Sequence, residues 1–277
     1  MIYQTVIHRT RLSSGQRQYF QALGQLQSHF HHYCLRHPQP LGLEPLRQRF
    51  QCDINTLPPA FDPRKVRLVV SDLDSTLIAI ETIDELAAEL GLKPQVAAIT
   101  ERAMAGELDF AAALRERVAL LEGLPVARLE QVFETRMKPA IQPGAPETLA
   151  WLKQRGITFA LVSGGFTFFT ERLQKILPID HARACRLEIR HGRLTGRVLE
   201  PIVDKDAKVA FLLELARKLA LDPMETVAMG DGANDVPMLQ TAGLGIAYHG
   251  HAIARQHADA CIDRGDWRAL RQLLEHP

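Results

Sequence analysis

Three short apolar runs, each ending on small or acidic residues that open a helical pattern, constrain this chain more than any other feature. Val66 to Ser71 runs into Asp72-Leu73-Asp74-Ser75-Thr76, Ile157 to Val162 into Ser163-Gly164-Gly165, and Thr226 to Met229 into Gly230-Asp231-Gly232-Ala233-Asn234-Asp235. β-Branched runs bounded in this way read as buried strands of a parallel sheet joined by crossover helices. Leu244 to Ala247 and Ala260 to Ile262 read as two more strands. Helical patterns over 83–90, 95–105, 110–121 and 126–137 fill the interval between the first two runs. That is too much chain for one crossover, so the spacing predicts a separate helical subdomain. The fold class is α/β: a Rossmann-like parallel sheet with crossover helices, built from residues 66–80 and 139–277, with a helical insert over 81–138 after the first core strand.

Residues 1–65 stand apart, with eight Lys and Arg against three Asp and Glu. Tyr19, Phe20, Leu23, Leu26, Phe30 and Tyr33 recur at helical steps after Ser13-Ser14, residues of the capping type, and predict one amphipathic helix. Six prolines between Pro38 and Pro63 then interrupt regular structure. His29, His31, His32, Cys34 and His37 match no standard metal-ligand spacing and read as a polar face of that helix. The segment is expected to be a partly helical N-terminal accessory piece that shields a core edge or forms a homodimer, ahead of a polyanion-binding arm.

The whole chain of 277 residues is 46% apolar and 23% charged with a net charge of +1, which is globular usage without bias toward nucleic acid. No run of eighteen apolar residues and no signal-peptide pattern occurs, so no membrane partner is expected. Cys34, Cys52, Cys185 and Cys261 are scattered without a C-x-x-C, which suggests neither disulfides nor a zinc cage and makes a reducing cytoplasm the default.

Open α/β sheets bind ligands beyond the carboxyl ends of their strands. There the sheet gathers Asp72, Asp74, Asp231 and Asp235, with Asp72 and Asp74 on one face of an extended segment. So many carboxylates in one small site call for a hard dication with oxygen ligands, and Mg²⁺ is the natural candidate. Ser163 and the glycines after it suit an anion at a helix start, and Lys208 adds positive charge for a phosphate. Singly, each has an ordinary reading: a solvated acidic turn, a common glycine turn, a helix cap, a solvated lysine.

The set D-L-D-S-T, S-G-G, Lys208 and G-D-G-A-N-D, in that order, resembles the haloacid dehalogenase-like phosphohydrolases. SDLDSTLIAIETIDELA, ITERAMAGELDF, LRERV, LVSGGFTFF and MGDGANDVPML resemble more narrowly the phosphoserine phosphatase family. The likeness spans roughly Val66 to Trp267. It implies a haloacid dehalogenase-like core with a helical cap, and Mg²⁺-dependent hydrolysis of O-phosphoserine through an aspartyl phosphate, the last step of serine biosynthesis. By the same resemblance Asp72 is the nucleophile and Asp74 the general acid and base. Asp72, the Asp74 carbonyl and Asp231 hold the metal, and Asp235 orients a metal water or Lys208. Ser163, Gly164, Lys208 and Asn234 contact phosphate, Glu81 and Arg117 take the ammonium and carboxylate of the substrate, and Met104 and Phe110 are apolar pocket residues. On their own, Glu81 reads as the lead-in to a capping box at Thr82-Ile83-Asp84-Glu85, and Arg117 as part of a charged run. Alternatives are another small phosphomonoester as substrate, or a non-catalytic scaffold that binds a phosphometabolite. A P-loop and a G-x-S-x-G elbow are both absent.

Overall fold

A computed structural model describes residues 2–104 and 107–275, apart from the side chain of Met104. The N-terminal segment carries β1 (Tyr3–Ile7), α1 (Ser14–Leu23), β2 (Gln25–Ser28), β3 (Tyr33–His37), α2 (Leu43–Phe50) and β4 (Ile54–Leu57). Its four strands form an antiparallel sheet in the order β2-β3-β1-β4. Ser13 does cap α1, through a reciprocal bond pair with Gln16.

The single long helix expected here does not form. It stops at Leu23 because Gly24 lies against β3, where a Cβ would come 2.1 Å from the Arg36 carbonyl oxygen. Leu26 and Tyr33 therefore enter strands, and Phe30 sits at the hairpin tip, 89% exposed. The histidines share no helix face: His29, His31 and His32 lie in the hairpin connection, and Cys34 and His37 in β3. The prolines also interrupt less than expected, since Pro45 stands in the first turn of α2, where a missing N–H leaves no helical bond unmade.

The N-terminal sheet closes a small core of its own, including Ile7, Phe20, Leu35, Phe50 and Ile54. It meets the second sheet through polar groups that imitate a strand. The Asn55 amide donates to the Cys261 carbonyl at 3.0 Å and accepts from the Cys261 N–H at 2.9 Å. The Asp53 carboxylate accepts from the N–H groups of Asp263, Arg264 and Gly265. An edge strand that would otherwise expose unpaired backbone is thereby covered.

Beyond it come β5 (Leu68–Ser71), α3 (Thr82–Glu89), α4 (Lys93–Met104), α5 (Phe110–Ala119), α6 (Val126–Val132) and α7 (Ala145–Gln154). They are followed by β6 (Thr158–Phe166), α8 (Thr167–Ile176), β7 (His181–Arg190), β8 (Arg193–Leu199) and α9 (Lys205–Lys218). The chain ends with β9 (Thr226–Gly230), α10 (Val236–Thr241), β10 (Leu244–Tyr248), α11 (Ala252–His257), β11 (Ala260–Ile262) and α12 (Arg268–Leu274). The seven-stranded sheet has the order β11-β10-β9-β5-β6-β7-β8, parallel except for β8 against β7. The expected strands are present, except that the second does not end at Val162 but runs on through Ser163, Gly164 and Gly165 to Phe166, and the β7–β8 hairpin is an addition to them.

From β5 the chain moves to β6 on one side and later returns to β9 on the other, so a topological switch point lies beside β5. Both faces of the sheet are covered, and every residue of β5 and β9 is buried. Helices α3–α6 fall between β5 and β6, with a cavity of about 440 Å³ between them and the strand ends. Among the described residues no helix is long and apolar enough to cross a membrane.

Candidate active site

The backbone after β5 turns back on itself, with the N–H groups of Leu77 and Ile78 both donating to the Leu73 carbonyl. Asp72 is pinned against β9 by its N–H bond to the Met229 carbonyl at 2.9 Å. Its Oδ1 accepts from the Leu73 N–H at 2.7 Å, and its Oδ2 lies 2.8 Å from Lys208 Nζ. Lys208 rises from the first turn of α9, which Asp204 caps, and is 1% exposed. The same ammonium donates to Asp235 Oδ1 at 2.6 Å.

Asp235 Oδ2 in turn accepts from the N–H groups of Asp231 and Gly232, which closes the loop after β9. This closure requires glycine at 230, because a Cβ there would fall 2.3 Å from the Asp235 carboxyl carbon. Asp231 Oδ1 accepts from the Thr76 hydroxyl at 3.1 Å, and Thr76 is held by Trp267, whose Nε1 donates to its carbonyl at 2.9 Å.

One oxygen from each of Asp72, Asp231 and Asp235 lies within 4.8 Å of the others. The donors are all hard oxygens and their combined negative charge exceeds the one lysine, which fits a hard dication. Burial, reinforced by the charge of Asp235, holds the Asp72 carboxyl well above its ordinary value, with Lys208 pulling the other way. Burial and Asp235 likewise raise Asp231 to about 6. For Lys208, burial acts to lower the pKa, yet Asp235 and Asp72 more than offset it and keep the ammonium charged.

Asp74 occupies a different setting. Its Oδ1 accepts from the Thr82 N–H at 2.8 Å and from the Thr82 hydroxyl, and its Oδ2 accepts a longer bond from Ser163 Oγ at 3.4 Å. Burial first, and the charge of Glu81 second, push Asp74 up to about 7. A carboxyl in that range exchanges protons near neutral pH, as an acid–base group must.

Asp72, Asp74, Glu81, Arg117, Ser163, Gly164, Asp231 and Asn234 all line the cavity, and Lys208 and Asp235 stand behind Asp72. Glu81 is the N-cap of α3 but makes no capping bond; its Oε1 accepts from the Ser75 hydroxyl at 2.6 Å. Arg117 donates only to the Ala113 carbonyl of its own helix, and no carboxylate lies within ion-pair distance of it among the described residues. Burial lowers its pKa, opposed by the charges of Asp84 and Glu81. Phe110 reaches over the glycines at the end of β6, since a Cβ on Gly164 would come 2.7 Å from its ring. The Met104 side chain lies outside the described residues.

Sequence reading missed Ser75, Thr76, Thr82 and Trp267 as supports of the site. Thr82 was legible only as a capping residue, although a hydroxyl eight residues after an active-site carboxylate was a signal.

A carboxylate pair at a strand end, a buried lysine and an oxygen-only dication site define an aspartate-centred phosphohydrolase. The model of the haloacid dehalogenase-like hydrolases matches residues 69–240. A phosphoserine phosphatase of Archaeoglobus fulgidus is 44% identical over 230 residues, covering 83% of this chain and 66% of that one. One from a Polaromonas species is 43% identical over 227 residues, covering 80% and 95%. Among solved structures, a HAD-family hydrolase from Salmonella enterica serovar Typhi superposes with a TM-score of 0.90 at 32% identity, over 99% of this chain and 98% of that one. A substrate-bound phosphoserine phosphatase complex gives 0.70 at 39% identity, over 75% and 98%. The chain belongs to the haloacid dehalogenase-like hydrolases, within their phosphoserine phosphatase family.

Proposed function

We propose that this enzyme hydrolyses O-phosphoserine to serine and orthophosphate with Mg²⁺ as its metal, in the cytoplasm, where four buried free cysteines stay reduced. One observation carries the reading: Asp72, Asp74 and Asp231 line the same cavity as Glu81 and Arg117, and Lys208 is paired with Asp72. Phosphoserine has a phosphate, an ammonium and a carboxylate, and the site sets against them, in turn, Lys208 with the Ser163 end of β6, Glu81, and Arg117.

Asp72 attacks phosphorus in line and forms an aspartyl phosphate as the bond from phosphorus to the serine oxygen breaks. Asp74, protonated when substrate binds, gives its proton to the departing serine oxygen. Water then attacks the phosphoryl group, Asp74 takes the water proton, and orthophosphate leaves with Asp72 restored. Lys208, Ser163, the Gly164 N–H and Asn234 hold the phosphoryl oxygens as charge spreads over them. Asp72, the Asp74 carbonyl and Asp231 would hold Mg²⁺, which supplies further positive charge to the same oxygens, and Asp235 fixes Lys208 and the Asp231 loop.

The test is phosphate release across a panel of phosphorylated small molecules, with added Mg²⁺ and with chelator. The proposal expects phosphoserine to have the highest kcat/KM and chelator to abolish turnover. A better amino alcohol phosphate, or metal-independent turnover, would contradict it.

A further inference from the structure

The loop from Asp74 to Glu81 contains a backbone oddity next to a polar contact that the reaction does not use. Ser75 has a φ of +54°, in the left-handed region that residues with a Cβ seldom adopt. Glycine would occupy that conformation without strain, whereas serine brings a hydroxyl to the turn. The hydroxyl donates to Glu81 Oε1 at 2.6 Å, a short bond from a neutral donor to a carboxylate. The Ser75 N–H donates to the Ile80 carbonyl at 3.3 Å, so the two ends of the loop are already side by side. Glu81 Oε2 has neither a hydrogen-bond nor an ion-pair partner among the described residues, and Glu81 lines the cavity.

We propose that Ser75 is a positioning residue for substrate selection: its hydroxyl locks the Glu81 carboxylate and leaves the second oxygen free for the ammonium of the substrate. This rests on the phosphoserine reading above. A long glutamate side chain loses rotamer freedom when it binds a cation, and a carboxylate already held by Ser75 loses less. The left-handed turn brings the hydroxyl to Glu81, and the loop bond between Ser75 and Ile80 holds the two in register.

The experiment compares Ser75→Ala and Ser75→Gly on phosphoserine and on 4-nitrophenyl phosphate, which has no ammonium. Both variants lack the hydroxyl, but only glycine relieves the backbone. The expected result is a KM for phosphoserine raised about ten-fold in both, kcat within about two-fold, and an unchanged KM for the aryl phosphate. In a Glu81→Gln background the Ser75 effect disappears, because the two residues act as one unit. A Ser75→Gly enzyme indistinguishable from wild type, or equal KM changes on both substrates, overturns the proposal. If Glu81→Gln alone fails to discriminate the two substrates, the ammonium reading of Glu81 is what fails, whatever Ser75 does.

Discussion

Replacing Asp74 by asparagine should make the metal-free protein more stable while removing its activity. The Asp74 carboxyl is raised from 3.8 to about 7, first by burial and then by Glu81. A carboxyl with a raised folded-state pKa favours folding in its protonated form, and that contribution is lost as pH rises from the unfolded value through the folded one. A shift of about three units at 1.36 kcal/mol each amounts to about 4 kcal/mol of destabilisation at pH 8, and to less than about 1 kcal/mol at pH 4. Asparagine keeps the acceptor oxygen for Thr82, and its amide can face Ser163 Oγ, so few contacts are lost. Urea unfolding with chelator present should therefore give an Asp74→Asn protein more stable than wild type by up to about 4 kcal/mol at pH 8, with the gain nearly absent at pH 4. Turnover should fall by roughly 10²-fold or more, since the proposed proton donor is gone. An asparagine variant no more stable at pH 8, or equally stabilised at both pH values, would refute the claim that burial and Glu81 strain the charged form.

Other expectations follow from the same geometry. Lys208→Met leaves the Asp72 and Asp235 carboxylates buried without their shared cation, so it should cost about 3–5 kcal/mol at neutral pH by denaturant unfolding, with partial recovery in acid. Arg117→Ala should raise the KM for phosphoserine far more than for an aryl phosphate, and equal losses in a steady-state comparison would count against carboxylate recognition. Gly164→Ala puts a methyl 2.7 Å from the Phe110 ring; that ring must swing away, and kinetics should show a higher KM with the fold intact by circular dichroism.

The core was readable because its strands are short, apolar and punctuated by the acidic and small residues of the candidate site. The β7–β8 hairpin was not, since its alternating arginines and apolar residues lack a β-branched run. Its turn left a signal in His191-Gly192, both with positive φ, the conformation that two-residue hairpin turns demand. In the N-terminal segment the apolar steps from Tyr19 to Tyr33 imitate a helix across Gly24, and only the close approach of Arg36, distant in sequence, ends it. The capping box that the sequence offered as the ordinary alternative at Thr82 does not form, because the Asp74 carboxylate takes the Thr82 N–H and hydroxyl together. The carboxylates and Lys208 could be named from spacing, but the order in which Lys208 bridges Asp72 and Asp235 depends on how β5, β9 and α9 stack.

Trapping the proposed aspartyl phosphate on Asp72 is the most direct measurement. Rapid acid quench of turnover on phosphoserine labelled in its phosphoryl group, followed by peptide mapping, should place the label on Asp72 and lose it on hydroxylamine treatment. Label on another residue, or undiminished turnover by Asp72→Asn, would contradict it.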